Sequence, residues 1–551
     1  MKSSPESPPH PSYRGTIALR VAAVSLPLVA GGCMVGPDYQ RPAAPVNESW
    51  QASTGAAEAG PSVPEVVRWW ESFNDPTLTA LVQSARDQNL GLRAAGLRVL
   101  QARAARGIAV GQFFPQVQRM TGGISNQRLS ANDPAGEGDR SFATSSIGFE
   151  AAWELDFWGK FRRGIESSDA LVLQTVADYD AVLVSLVADV ATSYIIVRSL
   201  EERLGFARAN VTLQQETLEL TEVRFRAGAV SELDVSTARA TLANTQSLIP
   251  EFENALRKTR LALCVLLGRT PSDLDSELAP ANGGPGVMPE APASIAAGIP
   301  VDLLRRRPDV RAAERAAAAQ SARIGQATAD LLPSISVSGS TGFLSSNFEG
   351  FHTPQLGNIF DSDSFAGFVG LRVNWPILNY GRITGNIRVQ DALYEQAVAG
   401  YTDTVLRAAA EVESGLSDFL RSKERAGFLG EAVGASSRSV ELSLIQYRAG
   451  AVDFIRVNTA QTQLVEQQDA LVTARAAIAL GAVRSYRAVG GGWEVRRGEE
   501  FIDRETAERM RGRTDWGDVL SPAWQEGKDL GFPRPVSESE GAKTPESGKD
   551  Q

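Results

Sequence analysis

Arg226-Ala227-Gly228-Ala229-Val230 and Arg448-Ala449-Gly450-Ala451-Val452 are the same five residues, 222 positions apart. The same step carries Trp153 to Trp375, Gly159 to Gly381, Lys160 to Arg382 and Ile165 to Ile387. Earlier in each copy the step is 218, taking Arg93-Ala94-Ala95 to Arg311-Ala312-Ala313, Gly107 to Gly325 and Phe113-Phe114-Pro115 to Leu331-Leu332-Pro333. Two copies of more than 150 residues with one four-residue slip mean a duplicated unit, so both halves are expected to share one architecture.

Between strand and tip, each copy has the pattern of one very long helix. Val172, Val176, Tyr179, Leu183, Leu186, Val190, Ser193, Val197, Leu200 and Leu204 alternate steps of four and three, a heptad seam that continues through Val211, Leu218 and Phe225. Val398, Tyr401, Val405, Val412, Leu416 and Phe419 repeat it. The pattern predicts helices over 160–226 and 383–449, each about 100 Å long at 1.5 Å per residue. Shorter helices are predicted at 77–112, 231–267, 302–332 and 454–489. By length, 231–267 with 302–332, or 77–112 with 454–489, would match one long helix when stacked end to end. The Pro- and Gly-rich stretch 268–300 would then lie midway along the rod.

Just before each long helix the period changes to two. Ile147, Phe149, Ala151, Trp153 and Leu155 alternate with Gly148, Glu150, Ala152 and Glu154, and Val369, Leu371, Val373, Trp375 and Ile377 alternate with Gly370, Arg372 and Asn374. Weaker alternation at 116–125 and 334–343 gives each copy a hairpin, with polar loops at 126–141 and 344–364. Strands of about ten residues with one apolar face suit a transmembrane β-barrel. Four strands cannot close one, because the smallest have about 8, and open edges are not tolerated in a bilayer. Other copies must complete the sheet, and a trimer would supply twelve strands with a matching ring of helices.

The ends and the composition agree with an envelope protein. Lys2, Arg14 and Arg20 precede a short apolar run, Val21 to Ala30, and then Gly31-Gly32-Cys33. This reads as an export signal over 1–32 with Cys33 as a lipidated N-terminus, although Ala30 stands where such sites usually have Leu. Cys264, the only other cysteine, lies in an apolar run and reads as a core residue, so no disulfide framework is expected. A net charge of −10 argues against nucleic acid. His352 is the only histidine past the signal, which argues against a metal centre, a cofactor or His-based catalysis. No nucleophile elbow or phosphate loop appears, so no enzyme is expected. Past the signal no uninterrupted apolar run reaches 18 residues, so no transmembrane helix is expected.

Several stretches then carry a family resemblance. They are Met34-Val35-Gly36-Pro37-Asp38-Tyr39-Gln40-Arg41-Pro42; Trp69-Trp70 with Phe73 and Asp75-Pro76; Trp153 through Lys160; Gly298-Ile299-Pro300 with Leu303 through Val310 and Glu314; and Gly490-Gly491-Gly492-Trp493. In this order, over about 33–493, the chain resembles the NodT/OprM-type outer-membrane efflux lipoproteins, a branch of the TolC-like channels. The resemblance implies a homotrimeric, 12-stranded outer-membrane barrel continued by an α-helical tunnel through the periplasm. It also implies two partners, a periplasmic adaptor and an inner-membrane pump, often of the proton-driven RND class. The implied organisation is a lipidated segment at 33–76, a first repeat at 77–267, an equatorial linker at 268–301, a second repeat at 302–489 and a C-terminal segment and tail at 490–551. A duct for type I protein secretion is the alternative within the class, and a pore-free coiled-coil envelope lipoprotein the alternative outside it.

The resemblance also points to site residues. Gly228 and Gly450 would make the tip turns at the periplasmic end. Asp234, six residues past the first glycine, and Tyr447, three before the second, match the two partners of a gate latch. Where such channels place an acidic ring, this chain has Arg456 and Thr459. Three arginines near a threefold axis would favour anions, or Arg456 would pair with Asp234 as a second latch. The tail from about 534 is polar and reads as flexible, with Trp516 and Trp524 expected to tack its start against the mid-rod band.

Overall fold

The computed structural model describes residues 33–43, 46–47, 50–51, 66–130, 132, 141–272, 274–279, 287–295, 305–346 and 359–520. The signal segment 1–32, Gly298-Ile299-Pro300, Leu303, Leu304, His352, Trp524 and the tail beyond 520 lie outside the described residues.

Four helices build the first repeat: α1 (Pro76–Gln88), α2 (Leu90–Gly111), α3 (Lys160–Arg226) and α4 (Glu232–Leu266). The second holds α5 (Pro308–Ala329), α6 (Arg382–Arg448) and α7 (Phe454–Ala488), and α8 (Arg504–Arg511) follows. From Val172 to Val211 the heptad seam follows the buried face of α3, where Val172, Val176, Leu183, Val190 and Val197 are all sealed from solvent, and toward the tip it emerges, with Leu218 half-buried and Phe225 exposed. One stretch of α3 is apolar enough to pass for a membrane span (mean hydropathy 1.8), a signal that counting unbroken apolar runs misses. Since 61% of that stretch is buried inside the protein, a core helix accounts for it.

The segment 77–112 is two helices, not the single one expected. Asn89 breaks it with an extended backbone (ψ 124°), and its side chain accepts from the Leu92 amide at 2.8 Å, starting α2 afresh. The expected helix 302–332 is broken in the same way: Arg305 and Arg306 are helical, Arg307 is extended (ψ 131°), and α5 begins at Pro308, because the residue before a proline is pushed out of the helical region.

The stacking also differs from both pairings offered by length. Asn89 Nδ2 donates to the Leu266 carbonyl at 2.9 Å, joining the end of α4 to the start of α2. Arg307 Nη1 donates to the Ala488 carbonyl at 2.6 Å, joining the end of α7 to the start of α5. These joints are equivalent, since 218 takes Asn89 to Arg307 and 222 takes Leu266 to Ala488. Each satisfies a terminal helix carbonyl that would otherwise lack a partner. Stacking thus occurs within a repeat. The lateral order of columns is α2/α4, α3, α5/α7 and α6.

The strands β1 (Val117–Arg128), β2 (Ser141–Leu155), β3 (Ser334–Ser346) and β4 (Phe365–Asn374) form one antiparallel sheet in the order β1-β2-β3-β4. The register gathers most of the apolar residues on one face: Met120 opposes Phe149, Ile147 opposes Phe343, Val337 opposes Leu371 and Ile335 opposes Val373, whereas Phe368 opposes Ser340 on the other face. The other face carries the Arg119–Glu150 ion pair (2.6 Å) and the serines 336, 338 and 340 of β3. Strand order and column order coincide, so each strand continues one column.

The family stretches mark joints of this frame. Asp75 caps α1 from the Thr77 and Leu78 amides and accepts from Tyr194 of α3 at 2.6 Å. Trp69 stacks on Tyr486 of α7, 5.4 Å between centroids. Asp156 accepts from the Phe161 and Arg162 amides and caps α3. Residues 33–43 run along the strand-to-helix junction. The Val35 amide donates to Trp158 O at 3.1 Å, Arg163 bonds Asp38 at 2.8 Å, and Arg41 pairs with buried Glu314. Cys264 is fully buried in the main core. Trp516 packs with Leu100 of α2, Ile502, Met510 and Leu520.

Candidate functional site

The end of the rods away from the sheet is made by two turns. Gly228 (φ +74°) and Gly450 (φ +75°) hold the same left-handed conformation, which glycine adopts without steric cost and which lets antiparallel helices turn tightly. Amides 228 and 450 donate to Phe225 and Tyr447, and amides 229 and 451 to Arg224 and Gln446, so the two tips close identically.

Within one chain the structure does not bring Asp234 to Tyr447. The Asp234 carboxylate accepts from both the amide and the hydroxyl of Ser231 at 3.0 Å, a capping box that uses it at the N-terminus of α4. Tyr447 is buried in an apolar cluster with Ala238, Phe454 and Val457, and its hydroxyl lies 3.4 Å from Thr221 Oγ1. Arg456 and Thr459 lie on the exposed face of α7, and Thr459 Oγ1 donates to Ile455 O at 2.8 Å. Among the described residues no ion pair joins Arg456 to Asp234.

The contact that ties the two tips is one the sequence reading missed. Arg224, near the end of α3, donates through Nη1 to the Tyr447 carbonyl, and its guanidinium lies over the Tyr447 ring at 4.4 Å. It caps the C-terminus of α6, where terminal carbonyls favour a cation. Gln461 Nε2 donates to Thr217 Oγ1 at 2.8 Å, and Thr241 Oγ1 to Asn458 Oδ1 at 2.6 Å. The duplication held a signal for Arg224: the 222-residue step sets Gln446 at its counterpart, an asymmetry beside otherwise identical tips.

At the opposite end of the helices, Cys33 is exposed beside the strand-to-helix junction. The strap it begins is held closely, since a side chain on Gly36 would collide with the backbone of Gly325 (2.3 Å). Cys33 lies two residues before Val35, whose amide is bonded to Trp158 O.

Comparison with known proteins places this architecture. The family model described as outer membrane efflux protein matches residues 81–269 and 299–491. Nodulation protein T of Rhizobium leguminosarum bv. viciae is 33% identical over 476 residues, 86% of this chain and 94% of that protein. The solvent efflux pump outer membrane protein SrpC of Pseudomonas putida is 31% identical over 486 residues, covering 86% and 98%. The solved outer-membrane channel OprN has a TM-score of 0.73 at 33% identity, covering 84% of this chain and all of that one. The open-state Neisseria gonorrhoeae MtrE channel, at 24% identity, shares the fold with a TM-score of 0.72 over 84% of this chain and 99% of that one.

Proposed function

The chain belongs to the outer membrane efflux protein family, and on that footing we propose that three copies close into one passive exit duct for small molecules. A periplasmic adaptor meets the helical tips, and an inner-membrane pump of the RND class supplies the energy. One observation carries this reading: the strand order β1-β2-β3-β4 and the column order α2/α4, α3, α5/α7, α6 run in parallel and end in matching open edges. A sheet with free edges cannot stand in lipid, and joining β4 and α6 of one copy to β1 and α2/α4 of the next removes every edge. Identity to a solvent efflux protein over nearly its whole length supports small molecules, rather than proteins, as cargo.

Two local features support the rest. The exposure of Cys33, at the start of a strap held against the strand-to-helix junction, supports an acyl group there that anchors the chain to the outer membrane. Arg456, exposed on α7, is available to the other copies at the tip, as a ring of cations or as a partner for a neighbour's Asp234. The test is native mass spectrometry and planar-bilayer recording of the purified protein. Trimers with discrete conductance are expected; a monomeric mass without channels overturns the duct. Arg456→Ala is expected to raise the closed-state conductance, and an unchanged value removes Arg456 from the gate.

A further inference from the structure

The duplication makes the inside of the chain a template for its outer edges. Trp153 Nε1 donates to the Phe113 carbonyl at 3.0 Å, and its counterpart Trp375 donates to the Leu331 carbonyl at 3.1 Å. Both are braces within a repeat, tying the end of a strand to the end of the preceding helix. Trp158 does something else. Its Nε1 donates to the Pro333 carbonyl at 2.8 Å, from the end of β2 across the repeat boundary to the start of β3. The step of 222 takes Trp158 to Tyr380, and the step of 218 takes Pro115 to Pro333. The counterpart brace therefore runs from Tyr380 to Pro115. These two residues follow β4 and precede β1, the opposite free edges of the sheet.

Tyr380 has the marks of a residue waiting for that contact. It is 95% exposed, although Trp158 is half-buried. Its φ of 50° lies in the left-handed region, where an aromatic residue is strained, and its side chain stands in the open among the described residues. Trp375, Ile377 and Leu378 beside it are also exposed, and so are Phe114 and Val117 on the other edge. In the covered β2–β3 junction the counterparts are also apolar, Trp153 for Trp375, Leu155 for Ile377, Leu332 for Phe114 and Ile335 for Val117, and only Leu378 departs, standing where the first repeat has Asp156.

We infer that Tyr380 docks on the Phe113–Val117 segment of a second copy of this chain, its hydroxyl donating to the Pro115 carbonyl as Trp158 donates to Pro333. The Pro115 carbonyl accepts from Gln118 Nε2 (2.9 Å) and has a second lone pair for the phenol. The protomer junction would thus repeat the junction inside the chain, with tyrosine standing for tryptophan. The inference rests on the trimeric reading above, and the experiment separates the two. Tyr380→Cys combined with Phe114→Cys, treated in isolated outer membranes with a short bis-maleimide, is expected to give dimer and trimer bands that neither single variant gives. In one chain the two edges are three strand spacings apart, about 14 Å, and a link there stays at monomer mass. Trimers by native mass without those bands overturn the contact and leave the duct standing. Monomers by native mass overturn the duct itself. In parallel, Tyr380→Ala is expected to lower the temperature at which the detergent-solubilised trimer dissociates, with helical content unchanged, and Tyr380→Trp to restore it. An unchanged dissociation temperature for Tyr380→Ala also counts against the contact.

Discussion

Arg224 shows how one side chain couples the two halves. Its guanidinium joins α3 to the last carbonyls of α6 and covers the Tyr447 ring. Arg224→Ala removes both interactions, each worth about 1 kcal/mol at a partly exposed site. Amides 444–454 are then expected to exchange with deuterium several-fold faster, with α2 and α5 unaffected. Equal exchange in the variant would show that the apolar cluster alone holds the tip. Tyr194 is a second node, donating to Asp75 Oδ2 at 2.6 Å and accepting from Arg198 Nε at 3.0 Å. Burial, helped by the bond to Asp75 and opposed by Arg198, pushes its phenol up to about 12. A raised phenol favours the neutral form in the folded state. Its stabilising contribution is complete below about pH 10, the ordinary value, and is lost as pH rises to about 12. Thermal melts across that window are expected to fall more steeply for the native protein than for Tyr194→Phe. Part of the fall remains in the variant, because burial also pushes Tyr179 up to about 12.

The elements differ in how openly the sequence states them. The seam of α3 was legible because one face is buried over many turns, and the strands because one face is apolar. The break at Asn89 was less open: its local marks are a single N-cap residue and Gly91 two positions on, and the bond that ties it to the end of α4 is to a carbonyl 177 residues away, on Leu266. The stacking partners were equally hidden, because length constrains the sum of two helices and not which ends meet. Of the candidate site, the tip turns were legible through their glycines. The latch role of Asp234 was implied by the family resemblance alone, whereas its place in a capping box was legible locally, from Ser231 three residues earlier. The joints and turns also predict different tolerance. Gly228 has open space where a Cβ would sit, so Gly228→Ala is expected to cost only its left-handed strain, about 1–2 kcal/mol. At Gly268 (φ +69°) a Cβ would stand 2.2 Å from the Gln88 carbonyl, so Gly268→Ala adds a backbone collision to the same strain. The drop in melting temperature should therefore be clearly larger for Gly268→Ala than for Gly228→Ala. Equal drops would mean that the joint between α4 and α2 yields freely.

At the scale of the whole molecule, asymmetry between the repeats separates what one chain does alone from what it needs neighbours for. Asp156 caps α3, while its counterpart Leu378 is exposed and leaves α6 without that cap. The strap 34–41 covers the first strand-to-helix junction through Trp158, Arg163 and Glu314, and among the described residues the second junction has no such cover. The strap bears on the lipid as well. Its position is set by protein contacts: Arg163, almost fully buried, bonds the Val35 carbonyl at 3.2 Å, the Gly36 carbonyl at 3.3 Å and Asp38 at 2.8 Å. An acyl group on Cys33 would add membrane affinity to a segment already in place, and one chain alone anchors only weakly. Cys33→Ser is therefore expected to lose incorporated palmitate and yet keep trimer mass, conductance and protease resistance of residues 33–43. Arg163→Ala leaves two backbone carbonyls and two carboxylates without their common partner, at a cost of roughly 1–3 kcal/mol. In the Cys33→Ser background it is expected to expose the strap to protease while the sheet and columns persist. If Cys33→Ser alone frees the strap, the lipid and not Arg163 holds the first junction closed.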